Sequence, residues 1–162
     1  MVVSANDNDS QPRVSYPAPH PNCIGVGPYT GADQMAGYSN CGPEVWVVAP
    51  SSGGTKGIFT TDEVISGRGF NTGSAAAGGK DGLFTNDFGG TSSSTPLVAG
   101  LVALMLSVDP TLTPAQGRQY LAASVRTIGQ ASDKDALGHS VRFGHGCIDA
   151  LQALKVVKAA LA

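Results

Sequence analysis

Between Leu97 and Leu106 the chain runs through ten residues, Leu-Val-Ala-Gly-Leu-Val-Ala-Leu-Met-Leu, with no charged or polar side chain among them. Wound at 3.6 residues per turn, this segment is apolar on nearly every side, so it reads as a helix that must be central to the fold. Thr95-Pro96 opens it and Ser107 closes it. It is shorter than the ~20 residues needed to cross a bilayer, so a buried helix is expected and a membrane partner is not.

What surrounds this helix can be read in the same way. Val2 to Ala5 looks like the end of a buried strand, followed by a polar, turn-like run to Ser10. Prolines at 17, 19 and 21 exclude helix and central strand from the loop that starts at Tyr16. Cys23–Gly27 and Val45–Val48 are short apolar runs bounded by turn residues, as in buried strands, and Ile58–Thr61 is a further strand candidate. The Gly-rich stretch 66–90 is expected to be a surface loop. Thr113-Pro114 pairs an N-cap with proline at the first helical position and starts a helix to about Ser124. Asp149 caps a last helix, in which Leu151, Leu154, Val157 and Leu161 share one face. Strands followed by long helices imply an α/β layer fold, and 162 residues suffice for one core.

Composition removes several function classes. A net charge of -2 without a basic run gives no footprint for nucleic acid. No leader is expected at Met1, since Val2 and Val3 pass straight into a polar run. Cys23, Cys41 and Cys147 lack metal-ligand spacing and read as free thiols; a Cys23–Cys41 bridge would need an oxidising compartment.

The chemistry concentrates in Gly90-Thr91-Ser92-Ser93-Ser94-Thr95-Pro96-Leu97-Val98-Ala99-Gly100. A serine at the start of an apolar helix sits where unsatisfied backbone N–H groups converge, and these stabilise a developing oxyanion together with the helix dipole. Gly90 permits the close approach of another backbone. Taken alone, three serines at a helix start are more often caps than catalysts.

The full string, Gly-Thr-Ser followed by Pro96 and Ala99-Gly100, resembles the nucleophile motif of the subtilases. Val3-Ser4-Ala5-Asn6 is similar to that family's strand ending in Ser/Ala-Gly-Asn, with Ala5 where the family has glycine. Tyr16-Pro17 through Gly27, Tyr38 through Glu44, Val48-Ala49-Pro50 and Phe143 through Ala150 resemble further family segments in the family's order. Thr60-Thr61-Asp62 and the Gly-rich loop look more like the kexin/furin-type branch. The resemblance implies an α/β, three-layer subtilisin-like fold with a mainly parallel sheet, here without its N-terminal strands. Residues 1–162 would be the C-terminal part of one catalytic domain.

The resemblance also implies a serine endopeptidase acting through an acyl-enzyme. Ser92 would be the nucleophile and Asn6 the side-chain donor of the oxyanion hole, with Asn8 as the rival alignment. The family's Asp-[Ser/Thr]-Gly and His-Gly-[Thr/His] motifs, which supply the triad aspartate and histidine, occur nowhere in the chain. His145-Gly146 only imitates the second, in the closing segment, and His20 and His139 read as surface residues. A serine hydroxyl without its base is a poor nucleophile, so the chain alone is expected to be inactive or nearly so. The partners implied are a peptide or protein substrate and a complementary N-terminal half. The alternative is a non-catalytic remnant that serves as a binding module. No cofactor is required; calcium is common in the family, with Asp9 or Asn40 as candidate ligands. The family also suggests a secreted or extracytoplasmic setting.

Overall fold

The computed structural model describes residues 1–63 and 68–161. Three strands, β1 (Val2–Ala5), β2 (Cys23–Tyr29) and β3 (Val45–Pro50), form a parallel sheet in that spatial order. Two more, β4 (Ile58–Thr61) and β5 (Phe84–Phe88), pair antiparallel as a separate hairpin. Three helices follow: α1 (Thr91–Val108), α2 (Pro114–Ser124) and α3 (Ala150–Ala160).

The two faces of the parallel sheet are covered differently. Ile24, Val26, Val47 and Ala49 point to the helices and pack with Val98, Leu101, Val102 and Met105 of α1, Leu121 of α2, and Ala153 and Val157 of α3. The opposite face is closed by loops, with Val45 and Val48 packed against Val14, Ala18, Ile128 and Phe143. Among the described residues, the layer opposite the helices is therefore made of irregular segments rather than of further helices.

Helix α1 starts at Thr91, six residues before the apolar run, so Pro96 lies inside it. Proline has no N–H to give to the carbonyl four residues back, which here belongs to Ser92. In the same turn the Thr95 hydroxyl donates to the Thr91 carbonyl at 2.8 Å. By length and composition α1 could cross a membrane. Its inward residues instead lie on the sheet, as a core helix requires.

The outward residues of α1 are just as apolar. Leu97 and Leu104 are 39% and 50% exposed. With Tyr29, Pro50 and Ile148 they border an open cavity of about 440 Å³. At the sheet's free edge Val2 is also exposed.

The caps expected for α2 and α3 are present. Thr113 and Gln116 form a reciprocal capping box, and Asp149 accepts from the Gln152 N–H. The stretch 66–90 differs from the expected loop, because β5 lies within it. Its first two residues are outside the described set. Asn71 organises part of the rest: its amide donates to the Gly79 and Phe84 carbonyls, both at 2.8 Å. All three cysteines are free, Cys23 and Cys147 buried and Cys41 partly exposed.

Candidate active site

The site is assembled where β1 and β3 end beneath the first turn of α1. Gly90, with φ 74°, turns the chain out of the β4–β5 hairpin and into the helix, and as N-cap it has no side chain to offer. Other residues hold the turn. Ser93 Oγ lies 3.0 Å from the Gly90 carbonyl and 2.7 Å from Ser51 Oγ. Ser51 Oγ also donates to the Gly90 carbonyl at 2.8 Å. Ser94 Oγ is 3.0 Å from the carbonyls of both Ala49 and Pro50, at the end of β3. Ser93 and Ser94 are buried by these contacts, whereas Ser92 between Thr91 and Ser93 is exposed.

The amides of this turn are not equivalent. The Thr91 N–H donates to Asn8 Oδ1 at 2.8 Å, and the Ser93 N–H to the Gly90 carbonyl at 3.1 Å. The Ser92 N–H has no protein acceptor among the described residues. An exposed serine hydroxyl and a free amide at a helix N-terminus are thus presented by one residue, a combination suited to forming a tetrahedral adduct and holding its oxygen.

The two candidate asparagines are placed apart. Asn6 continues the strand: its N–H donates to the Val26 carbonyl at 3.2 Å. Side chains alternate along a strand, so Asn6 shares the face of Ser4 and points away from α1. A Cβ at Gly25 would lie 3.0 Å from Asn6 Oδ1, and one at Gly27 3.4 Å from its Nδ2. Asn6 is fully buried there, and neither carboxamide atom has a hydrogen-bond partner.

Asp7 then takes φ 71°, a left-handed conformation uncommon for a residue with a side chain. That turn ends the alternation and carries Asn8 to the start of α1. A Cβ at Gly90 would stand 3.4 Å from both Asn8 Oδ1 and Nδ2. With Oδ1 engaged by Thr91, Nδ2 is left beside the nucleophile turn as a donor. Of the two candidates, Asn8 has its carboxamide beside the Thr91 turn, and Asn6 has its own beside Gly25 and Gly27.

The histidines are elsewhere. His139 Nε2 is 2.7 Å from the Val45 carbonyl, and the His145 ring packs against Trp46. Both lie where β3 begins, while Ser94 is tied to its last residues. Six residues of strand at ~3.3 Å each separate the two ends by roughly 16 Å. His20 is exposed, and its Nδ1 accepts from the Asn22 N–H at 3.1 Å.

Of the calcium candidates Asp9 and Asn40, Asn40 is engaged within the protein. Asn40 Oδ1 already accepts from the N–H groups of Asp9 and Gln11, at 3.0 and 2.9 Å, and so holds the loop after β1. Among the described residues no three His, Cys, Asp or Glu side chains cluster as metal ligands.

Sequence reasoning located Ser92 but missed the anchors Ser51, Ser93 and Ser94, which resemble ordinary loop and cap serines. Two of them occupy positions that the nucleophile motif leaves free or merely small. Thr91 Oγ1, adjacent to Ser92, is likewise buried and without a partner.

Comparison with known proteins points the same way. Residues 1–146 match a family model described as the subtilase family. The chain is 35% identical over 163 aligned residues to a calcium-dependent protease of Nostoc sp., covering 96% of this chain and 24% of that protein. It is 35% identical over 135 residues to a subtilisin of Bacillus pumilus, covering 81% of this chain and 41% of that one. Among solved structures, fervidolysin from Fervidobacterium pennivorans, a keratinolytic enzyme related to subtilisin, superposes with a TM-score of 0.71 at 27% identity, over 96% of this chain and 22% of that one. A lanthipeptide protease superposes with a TM-score of 0.72 at 22% identity, over 96% of this chain and 50% of that one, which speaks for the fold alone. The chain thus spans about a quarter of the length of the Nostoc relative.

Proposed function

Because this chain belongs to the subtilase family, we propose that it is the C-terminal part of a serine endopeptidase domain that cleaves peptide bonds through an acyl-enzyme. The observation that carries the reading is the exposed Ser92, in a turn whose neighbouring residues are all tied down. Ser92 Oγ attacks the scissile carbonyl carbon, and the oxygen that becomes negative is received by the Ser92 N–H and Asn8 Nδ2. As the tetrahedral adduct collapses the C–N bond breaks, the amine leaves with the proton taken from Ser92, and the acyl group remains as an ester on Ser92 Oγ until water hydrolyses it to the free acid.

The proton from Ser92 needs a base, and the three histidines lie outside the turn. The proposal therefore assigns the triad histidine and aspartate to polypeptide beyond these 162 residues. The apolar outer face of α1 and the free edge at β1 are the surfaces on which that complementary half would pack. A peptide or protein is the substrate class. The kexin/furin-like placement rests on Thr60-Thr61-Asp62 and the Gly-rich stretch alone, and the sequence around Pro12-Arg13-Val14-Ser15 gives no support for a dibasic preference. An extracytoplasmic setting is proposed from the family resemblance.

The test is a chimaera in which this chain is fused to the segment preceding the matched region of the Nostoc relative. The chimaera should hydrolyse casein and be labelled by a fluorophosphonate at Ser92, and Ser92→Ala should lower turnover by ~10⁶-fold, the scale known for subtilisin itself. The unfused chain should label poorly. A chimaera that unfolds cooperatively yet never labels, or fast stoichiometric labelling of the unfused chain, would overturn the proposal.

A further inference from the structure

At the opposite end of β3 lies a second concavity that the proposed reaction does not use. Its volume is about 360 Å³, and Trp46, Arg118, His145, Gln119 and Asn22 contribute to its wall. The Arg118 guanidinium sits 3.7 Å over the Trp46 ring. One of its N–H groups donates to the Cys23 carbonyl. The Trp46 indole N–H donates in turn to the Arg118 carbonyl at 2.9 Å, which fixes indole and helix α2 together. The His145 ring stands edge-on to Trp46, with centroids 4.3 Å apart, and the backbone N–H of His145 donates to the Trp46 carbonyl at 2.9 Å.

The charge of this wall is uncompensated. A guanidinium has five N–H donors, and only one protein acceptor for Arg118 is present among the described residues. Burial disfavours its charged form. No Asp or Glu lines the cavity, and the ion pair among the described residues is Arg126–Asp33, elsewhere. Among the described residues His145 Nε2 is buried without a hydrogen-bond partner. A partly desolvated guanidinium with free N–H groups favours an anion, and the indole with Pro21, Ala115 and Ala122 favours an apolar body attached to it.

We infer that this cavity binds a small carboxylate with a compact apolar or aromatic body, the carboxylate on Arg118 and the body on Trp46. The volume suits the size: at roughly 30 Å³ per water it is equivalent to about a dozen waters, enough for a single arene ring and its acid group. A free aromatic acid and the C-terminal carboxylate of a peptide share this chemistry.

Trp46 is the chain's one tryptophan and sits in the wall, so its fluorescence reports occupancy directly. The unmutated chain is titrated with benzoate, with its neutral isostere benzamide, and with N-acetylphenylalanine as a mimic of a peptide C-terminus. A saturable response to benzoate assigns the site to a free acid, and saturation by N-acetylphenylalanine alone assigns it to a peptide end. Benzamide should bind at least about tenfold more weakly, as loss of a charge-assisted hydrogen bond requires. Arg118→Gln should lose the response, and Arg118→Lys, which keeps the charge without the planar fork, should retain part of it. Proton NMR of the His145 ring in the unmutated chain supplies a second readout, shifting only with the ligand that saturates. No saturation by either acid, or equal binding of benzoate and benzamide, overturns the inference.

Discussion

The two sides of α1 have the same chemistry and opposite fates. Val98, Leu101, Val102 and Met105 are buried against the sheet, while Leu97 and Leu104, a turn away, face outward. A helix that ended its business with this sheet would carry polar residues on its outer side. The outer leucines are the surface on which the proposed complementary half would pack, in a chain that spans a quarter of its Nostoc relative. Apolar pattern identifies a helix meant to be buried, but not the polypeptide that buries it.

The sharpest way to break this contrast is to cut the same side chain on each face. Leu101→Ala should cost ~2–5 kcal/mol, since a cavity remains in a packed core. Leu104→Ala should stay within about 0.5 kcal/mol in the unfused chain. Urea denaturation of both variants measures the difference; equal losses would mean that the outer face is already covered in solution, by self-association. In the chimaera the ordering should narrow, with Leu104→Ala now destabilising as well.

The first turn of the same helix allows a similar comparison between its two flanking asparagines. In the active chimaera Asn8→Ala should lower kcat by ~10²–10³-fold with little change in KM, the scale of one side-chain donor to an oxyanion, a figure itself measured on subtilisin. Asn6→Ala should leave kcat nearly unchanged and act on stability, because it removes two buried polar atoms without partners along with the atoms that pack beside Gly25 and Gly27. A greater kcat loss at Asn6 would place Asn6, not Asn8, at the reacting carbonyl.

The smallest expected effect lies farthest from α1's first turn. Burial, then the positive charges of His139, Arg118 and Lys134, hold His145 below its ordinary value of 6.5, with Asp135 opposing them. The folded chain thus keeps His145 neutral where the unfolded chain takes up a proton. Its contribution is present above about pH 6.5 and is lost as pH falls toward the lower folded value. The urea midpoint should drop over that interval, and His145→Phe, which keeps an aromatic ring beside Trp46, should flatten this part of the profile. An unchanged slope in the variant would assign the pH dependence to other groups.

Most of the framework was legible because its signals are local. The strand at Val45, the Thr113 and Asp149 caps and the apolar core of α1 each depend on a few neighbouring residues. The start of α1 was misplaced because Pro96 looks like a first-turn proline, whereas serine side chains bonded to β3 support the turn before it. Asn6 was preferred over Asn8 because it directly ends the strand. What sends their side chains to different places is the backbone of Asp7, whose positive φ is not announced by its residue type. The anchoring role of Ser51 was equally hidden, since its partners are 39 and 42 residues away.

Pro96 has a mechanical consequence. By withholding an N–H from the Ser92 carbonyl, it leaves the serine's turn only loosely spliced to the rest of the rod. The same turn is riveted to the sheet by Ser51, Ser93, Ser94 and Asn8. In the proposed reaction the Ser92 oxygen would thus take its coordinates from the strands. If the proposed complementary half seats on the outer face of α1, the two ends of the helix would answer to different partners.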